Sequence, residues 1–273
     1  MKERFFLMVC MFMLPFFSEA QVAIDKANLK CLYNYSCVSD LLRPERYVND
    51  EMLLLIGSKY TSFYSQTNFT TDSLRQANPA EFAPGVSTVD GVITVIPAKN
   101  PLRRRTHSSE IYLIDRSTGK FQCWDKIGTS LYSYNETIVN PSWIISSDTC
   151  SVLGYTCQKA TTNYGGREWT AWFAPEIPIS EGPWKLRGLP GLILKAASSD
   201  NQFSFVAAGL ERAPNLGSIV TYDGDNAYRK IAKKDFFSVK KRFWEKPFAD
   251  EGVTITSSSA GAFRLDFNFI EKL

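Results

Sequence analysis

The sequence predicts a mainly β protein, a large curved antiparallel sheet or half-barrel with a few helices packed on one side. Three observations point there. Runs rich in β-branched and aromatic residues recur every 8 to 15 residues or so, a rhythm that favours an antiparallel sheet over βαβ units. Ser117-Thr118-Gly119 and Asn163-Tyr164-Gly165-Gly166 have the composition of hairpin connections. Lastly, Gly182 to Leu194 packs three glycines and two prolines into thirteen residues. Proline fixes φ and glycine reaches angles other residues avoid, so Gly188-Leu189-Pro190-Gly191 specifies a turn that delivers Leu192-Ile193-Leu194 into a buried strand.

Taken in order, the chain opens on an export signature. Lys2 and Arg4 precede an apolar stretch from Phe5 to Phe17, and Ser18-Glu19-Ala20 supplies small residues for cleavage. Residues 1–20 are therefore expected to be a Sec-type signal peptide, with one β-rich domain over 21–273 and a soft boundary near 78–85. The apolar stretch is too short to span a bilayer, and Cys10 inside it reads as apolar filler. Strands are expected at 51–56, 59–66, 89–96, 110–115, 120–126, 131–134, 155–161, 168–174, 192–197, 202–210 and 263–269. A short helix follows the capping candidates Thr70 to Ser73, and a second runs from Phe236 to Lys246 behind Asp235. In the second, Phe236, Val239 and Phe243 form an apolar stripe, with Lys240, Lys241 and Arg242 largely filling the rest.

No later stretch approaches spanning length, so the mature protein is expected to be soluble. A net charge of +3 over 273 residues argues against a nucleic-acid partner. The basic run Arg103-Arg104-Arg105 reads as a solvated loop. Export exposes Cys31, Cys37, Cys123, Cys150 and Cys157 to an oxidising compartment. Cys31 with Cys37 and Cys150 with Cys157 are disulfide candidates, Cys123 with Cys150 remains equally open, and an odd thiol is left over. With one histidine, His107, and no C-x-x-C, neither a metal nor a cofactor is expected.

The usual catalytic constellations are missing from the sequence: no G-x-S-x-G elbow, no H-E-x-x-H, no phosphate-binding loop. A carboxylate pair is the remaining enzymatic route, and Glu176 with Glu181 could share a loop face for hydrolysis. Alternation on the strand near 168–174 sets Arg167, Trp169, Ala171 and Phe173 on one face. Glu168, Thr170, Trp172 and Ala174 take the other. Trp143, Trp169, Trp172 and Trp184 crowd into one third of the chain. They are either aromatic core or the wall of a pocket in which Arg167, Trp169, Trp172 and Trp184 meet a ligand with an apolar body and an anionic end.

In succession, Tyr155 to Ala160, Gly166-Arg167, Trp169 with Trp172, Ile177-Pro178-Ile179, Gly182-Pro183-Trp184 and Gly188-Leu189-Pro190-Gly191-Leu192-Ile193 resemble the GLPGLI family of secreted Gram-negative envelope proteins. Met52 to Ser65 is similar to its N-terminal block. The resemblance implies a periplasmic or secreted location and carries no activity with it. The expected layout is similar to the open half-barrel of LolA-like lipoprotein carriers. The leading expectation is thus a non-enzymatic envelope protein that binds a lipid-like or peptide ligand, or assists an outer-membrane partner. A carboxylate-dependent hydrolase and a purely structural interaction module are the alternatives.

Overall fold

Leu29, Cys31, Tyr33, Tyr35 and Cys37 alternate with less buried neighbours along one continuous strand, β1 (Val22–Val38), and all five are buried. Side chains two apart in a strand share a face, so the five line one side of it. The computed structural model describes residues 22–78, 85–89, 92–96, 109–222, 227–245 and 266–272. The expected signal segment with Cys10, the Arg103–Arg105 run and His107 lie outside the described residues, as does most of the expected strand at 263–269.

Around β1 the chain builds one open, curved sheet of 13 strands. On one side stand β2 (Tyr47–Gly57), β3 (Tyr60–Ser65), β6 (Ile111–Asp115), β7 (Lys120–Ile127) and β8 (Ser130–Thr137). On the other stand β13 (Phe203–Arg212), β12 (Leu192–Ser198), β11 (Arg167–Ala174), β10 (Tyr155–Tyr164) and β9 (Ile144–Val152). The pairings among these strands are antiparallel. The short β15 (Arg229–Lys230) adds a parallel rung at the β8 edge, and β14 (Ser218–Thr221) pairs the N-terminal end of β1. A separate antiparallel hairpin, β4 (Gly85–Val89) with β5 (Val92–Ile96), stands where one strand over 89–96 was expected. At its far edge β9 leaves Ile144 74% exposed and Ile145 45% exposed.

The two faces of the sheet bury different sets. Met52, Leu54 and Ile56 join the main core on the inner face, with Tyr33, Phe63, Trp169 and Phe205. Leu53 and Leu55 join a smaller cluster with Trp124, Ile219 and Tyr222 on the outer face. Both faces of β2 are covered, which is why its sequence reads as an unbroken apolar run.

The first helix, α1 (Gln66–Ala77), starts before the expected caps. Ser65 is its N-cap and accepts from the Asn68 amide at 3.0 Å. The second, α2 (Lys233–Glu245), sets Phe236 and Phe237 against Tyr134 of β8. Lys240 was assigned to its solvated side, but it is buried. Two acids draw it inward, as described below.

Among the described residues all five cysteines are free. Cys31 and Cys37 sit six residues apart on one extended strand, roughly 20 Å along it at about 3.3 Å per residue. No loop brings them together, and the expected pairing fails on geometry. Cys150 and Cys157 are direct cross-strand neighbours on β9 and β10, unbridged. No helix among the described residues is long and apolar enough to cross a membrane.

Candidate site on the inner face of the sheet

The hollow of the sheet is floored by aromatic rings. Tyr35 stacks on Phe205 with centroids 4.8 Å apart, and Phe63 lies parallel to Tyr112 at 6.3 Å. With Tyr134 and Trp184 these rings line a cavity of about 30 Å³, room for roughly two water molecules. Its roof is the C-terminal segment Asp266–Lys272, which supplies Phe267, Asn268, Phe269, Ile270 and Glu271, together with Phe237 and Lys240 of α2.

That segment crosses the hollow held largely through its main chain, with one antiparallel bridge from Phe267 to Asp40 and a bend at Ile270 and Glu271. The Leu41 amide donates to the Asp266 carbonyl at 2.9 Å, and the Asn268 amide donates to the Ser39 carbonyl at 3.0 Å. The Lys272 amide donates to Gly165 O at 2.9 Å. Gly166 must lack a side chain for this to work, because a Cβ there would come within 2.7 Å of Lys272 Cβ. Aromatic contacts finish the seat: Phe267 stacks on Trp244 at 5.1 Å, and Phe269 meets Phe237 edge-on at 5.2 Å.

Arg167 is the clamp. Its guanidinium donates to the Ile270 carbonyl at 3.0 Å, the Phe269 carbonyl at 2.7 Å and Asn268 Oδ1 at 2.5 Å. It also pairs with Asp200 at 2.7 Å and donates to Gln202 at 3.1 Å. A fixed five-donor fork suits this array, whereas an ammonium has three donors on one atom. The expected anionic partner of Arg167 is therefore Asp200, within the chain, and its other bonds go to the C-terminal segment and Gln202.

The four tryptophans divide. Trp169 and Trp184 are buried on the inner side, 5.8 Å apart, and Trp184 lines the cavity. Trp172 is half-buried on the opposite face of β11, with the Lys159 ammonium 6.0 Å over its ring. Trp143 is half-buried too and donates to the Arg187 carbonyl at 2.8 Å. The alternation read from the sequence thus holds on β11, and it separates Trp172 from Trp169.

Leu189, Leu192 and Ile193 of the Gly/Pro-rich run are buried, and the Tyr33 hydroxyl donates to the Ile193 carbonyl at 2.7 Å. Gly188 takes φ +93°, the left-handed geometry expected of it. Gly191 does not. It is glycine because a Cβ would lie 2.3 Å from the Ala174 carbonyl oxygen. Gly182 and Pro183 lead into Trp184, a bulky residue held at φ 56°, an uncommon conformation that only surrounding packing sustains.

Buried charge is what the sequence reading missed. Lys185, in the same run, pairs with Glu136 and with Glu271 of the C-terminal segment, the latter at 2.7 Å. Lys233 of α2 bridges the same two acids at 2.7 and 2.5 Å. Burial works against the Glu136 carboxylate, but the two ammoniums outweigh it and hold it below its ordinary value. Nearby, Lys240 pairs with Asp125 at 2.8 Å and Glu110 at 2.9 Å, and Tyr112 donates to Glu110 at 2.6 Å. Burial outweighs the Lys240 charge at Asp125 and raises its pKa. Glu176 is exposed, whereas Glu181 is buried between Arg187 at 3.0 Å and Arg116 at 3.1 Å, so the two share no face. Spacing gave little sign of these networks, because apart from Glu181 and Arg187 in one loop the partners come from distant parts of the chain; the local hint was Lys185 and Arg187 inside an otherwise apolar run.

Residues 165–195 match a family model described as a protein of unknown function (Porph_ging). That stretch contains Gly165, Gly166, Arg167, Trp184 and Lys185. No curated protein matches the chain. Among solved structures the chain is similar to PNGF-II in space group C2, at 11% identity and a TM-score of 0.50, covering 78% of this chain and 32% of that one. It is also similar to PNGF-II in space group P21, at 14% identity and a TM-score of 0.49, covering 78% and 33%. The chain thus spans about a third of the length of the solved chains it matches, and at such identities the likeness concerns the fold alone.

Proposed function

We propose that this chain is a non-enzymatic envelope protein of the GLPGLI type, exported by residues 1–20, whose sheet binds an apolar or peptide segment on its inner face. The observation that carries the reading is the aromatic floor of Tyr35, Phe63, Tyr112, Tyr134 and Trp184, set beneath a peptide segment that it does not fully contact. Concave, mostly apolar surfaces with a few placed polar groups are the usual form of a binding site. The acids at this site are shared with lysines, an arrangement suited to orienting a ligand. An outer-membrane protein is the natural source of such a segment for an exported chain.

Native mass spectrometry of the mature protein taken from its own envelope, followed by organic extraction, tests the reading. A retained lipid or peptide of defined mass is expected. A ligand-free mass, together with failure of a labelled fatty acid and of an aromatic-rich peptide pool to bind the purified chain, would refute it.

A further inference from the structure

Residues Asp266–Lys272 occupy the hollow in the manner of a bound peptide. Carbonyls gripped by an arginine fork, two aromatic side chains two residues apart and an acid between two lysines are features by which a cleft recognises a peptide in trans. The fit is incomplete, since the cavity lies directly beneath the segment. Charge points the same way. With Glu271 in place, Lys185 and Lys233 face two acids; without it these two lysines share Glu136 alone, which leaves a local excess of positive charge at that end of the hollow. Gly165, Gly166, Arg167, Trp184 and Lys185, which touch or flank the segment, all fall within the 165–195 stretch that matches the family model.

We propose that the inner face is a site for a segment of a partner protein with the pattern aromatic, Asn, aromatic, any residue, acid, the Asn being set by its bonds to Arg167 and the Val38 carbonyl, and that the chain's own C-terminal segment is its built-in competitor. This rests on the binding reading above and narrows the ligand to a peptide of stated chemistry. A tethered segment competes at an effective concentration in the millimolar range, so the intact chain binds a free copy weakly.

The test uses the full chain and a fluorescein-labelled peptide with the sequence of residues 266–273, followed by anisotropy. Phe269→Ala combined with Glu271→Gln loosens the chain's own segment. This variant should bind the peptide at least tenfold more tightly than the unaltered chain, and a peptide carrying the same two changes should not bind. A variant that still unfolds cooperatively but takes the peptide no better than the unaltered chain would overturn the proposal. So would a dimer formed by exchange of segments between copies that ignores added peptide. Should the variant not fold, hydrogen exchange on the unaltered chain decides. The amides of Asn268 and Lys272 should exchange far faster than that of Tyr33 in β1, and exchange at the rate of global unfolding would refute displacement. A co-purified lipid with no peptide capture would remove this proposal and leave the binding reading intact, so the two fail separately.

Discussion

Replacing Gly191 with alanine adds one methyl where there is no space for it. The new Cβ would stand 2.3 Å from the Ala174 carbonyl oxygen, 2.7 Å from its carbon and 3.0 Å from the Pro175 nitrogen, where ordinary contact begins near 3.4 Å. All three are backbone atoms, so no side chain can swing aside. Relief requires a shift of about 1 Å between the end of β11 and the start of β12, where Ala174 pairs with Leu192. The same shift strains the Leu192 amide bond to Ile177 O and the Ile193 amide bond to Glu181 O, both 3.0 Å. Overpacking costs about 1–3 kcal/mol, and one or two weakened backbone bonds add about 1 kcal/mol each, so a loss of about 2–5 kcal/mol is expected. Equilibrium urea unfolding followed by tryptophan fluorescence measures it. Gly209→Ala is the control, because its nearest new neighbour is Leu32 Cβ at 3.9 Å. A Gly191→Ala chain with the midpoint of the control would refute the close-approach argument.

Arg167→Met should cost about 3–5 kcal/mol in the same assay, because Asp200 and the carbonyls of Phe269 and Ile270 lose their donor; a cost under about 1 kcal/mol would show that the clamp is dispensable. Acid should loosen the inner-face network. At Glu136 burial is outweighed by Lys185 and Lys233, and at Asp200 it is outweighed by the Ser198 hydroxyl, the Gln202 amide and Arg167, so both carboxyls titrate below their ordinary values. Depressed carboxylates contribute stability above the unfolded pKa and lose it as pH falls through the folded one, so the urea midpoint should drop below about pH 4.5. A Lys185→Met chain should show a shallower acid loss, and an unchanged slope would contradict this. Burial pushes the Cys31 and Cys37 thiols up to about 12 and Cys157 up to about 11, and among the five described cysteines only Cys150 is half-exposed. Iodoacetamide on the native chain should therefore modify Cys150 first, read by intact mass and peptide mapping, and early alkylation of Cys31 would count against the buried strand.

Much of the sheet was legible because its strands carry their own period. Residues 168–174 alternate cleanly, and the turn from Gly188 to Gly191 announces the strand after it. The central strand β1 was not read, because its inward residues include two cysteines and two tyrosines, types that pattern weakly as apolar and that suggested disulfide loops instead. For the site, Trp184 and Arg167 were visible as residues, but their partners were not. Arg167 grips a segment about a hundred positions away, and Lys185 needs Glu136 and Glu271 from two other parts of the chain. Such pairs are set by topology, which composition and spacing do not encode.

The bond from the Tyr33 hydroxyl to the Ile193 carbonyl joins residues 160 positions apart, and it lies beside the seam where β1 meets β13. Strands β9 to β13 follow one another in the sheet as they do in sequence, and β1 to β3 do the same, so each half can zip up through near neighbours. The seam itself must wait for residues 203–212 to be made, and closing so long a loop is the slow step of such a topology. Pulse-labelled hydrogen exchange during refolding should protect β10 and β11 before the β1 amides that pair with β13, and simultaneous protection would count against this order. Until that seam closes, β1 is an open edge in the middle of the future sheet. The half-made protein is then most vulnerable to mispairing along a strand that will end up in the middle of the sheet.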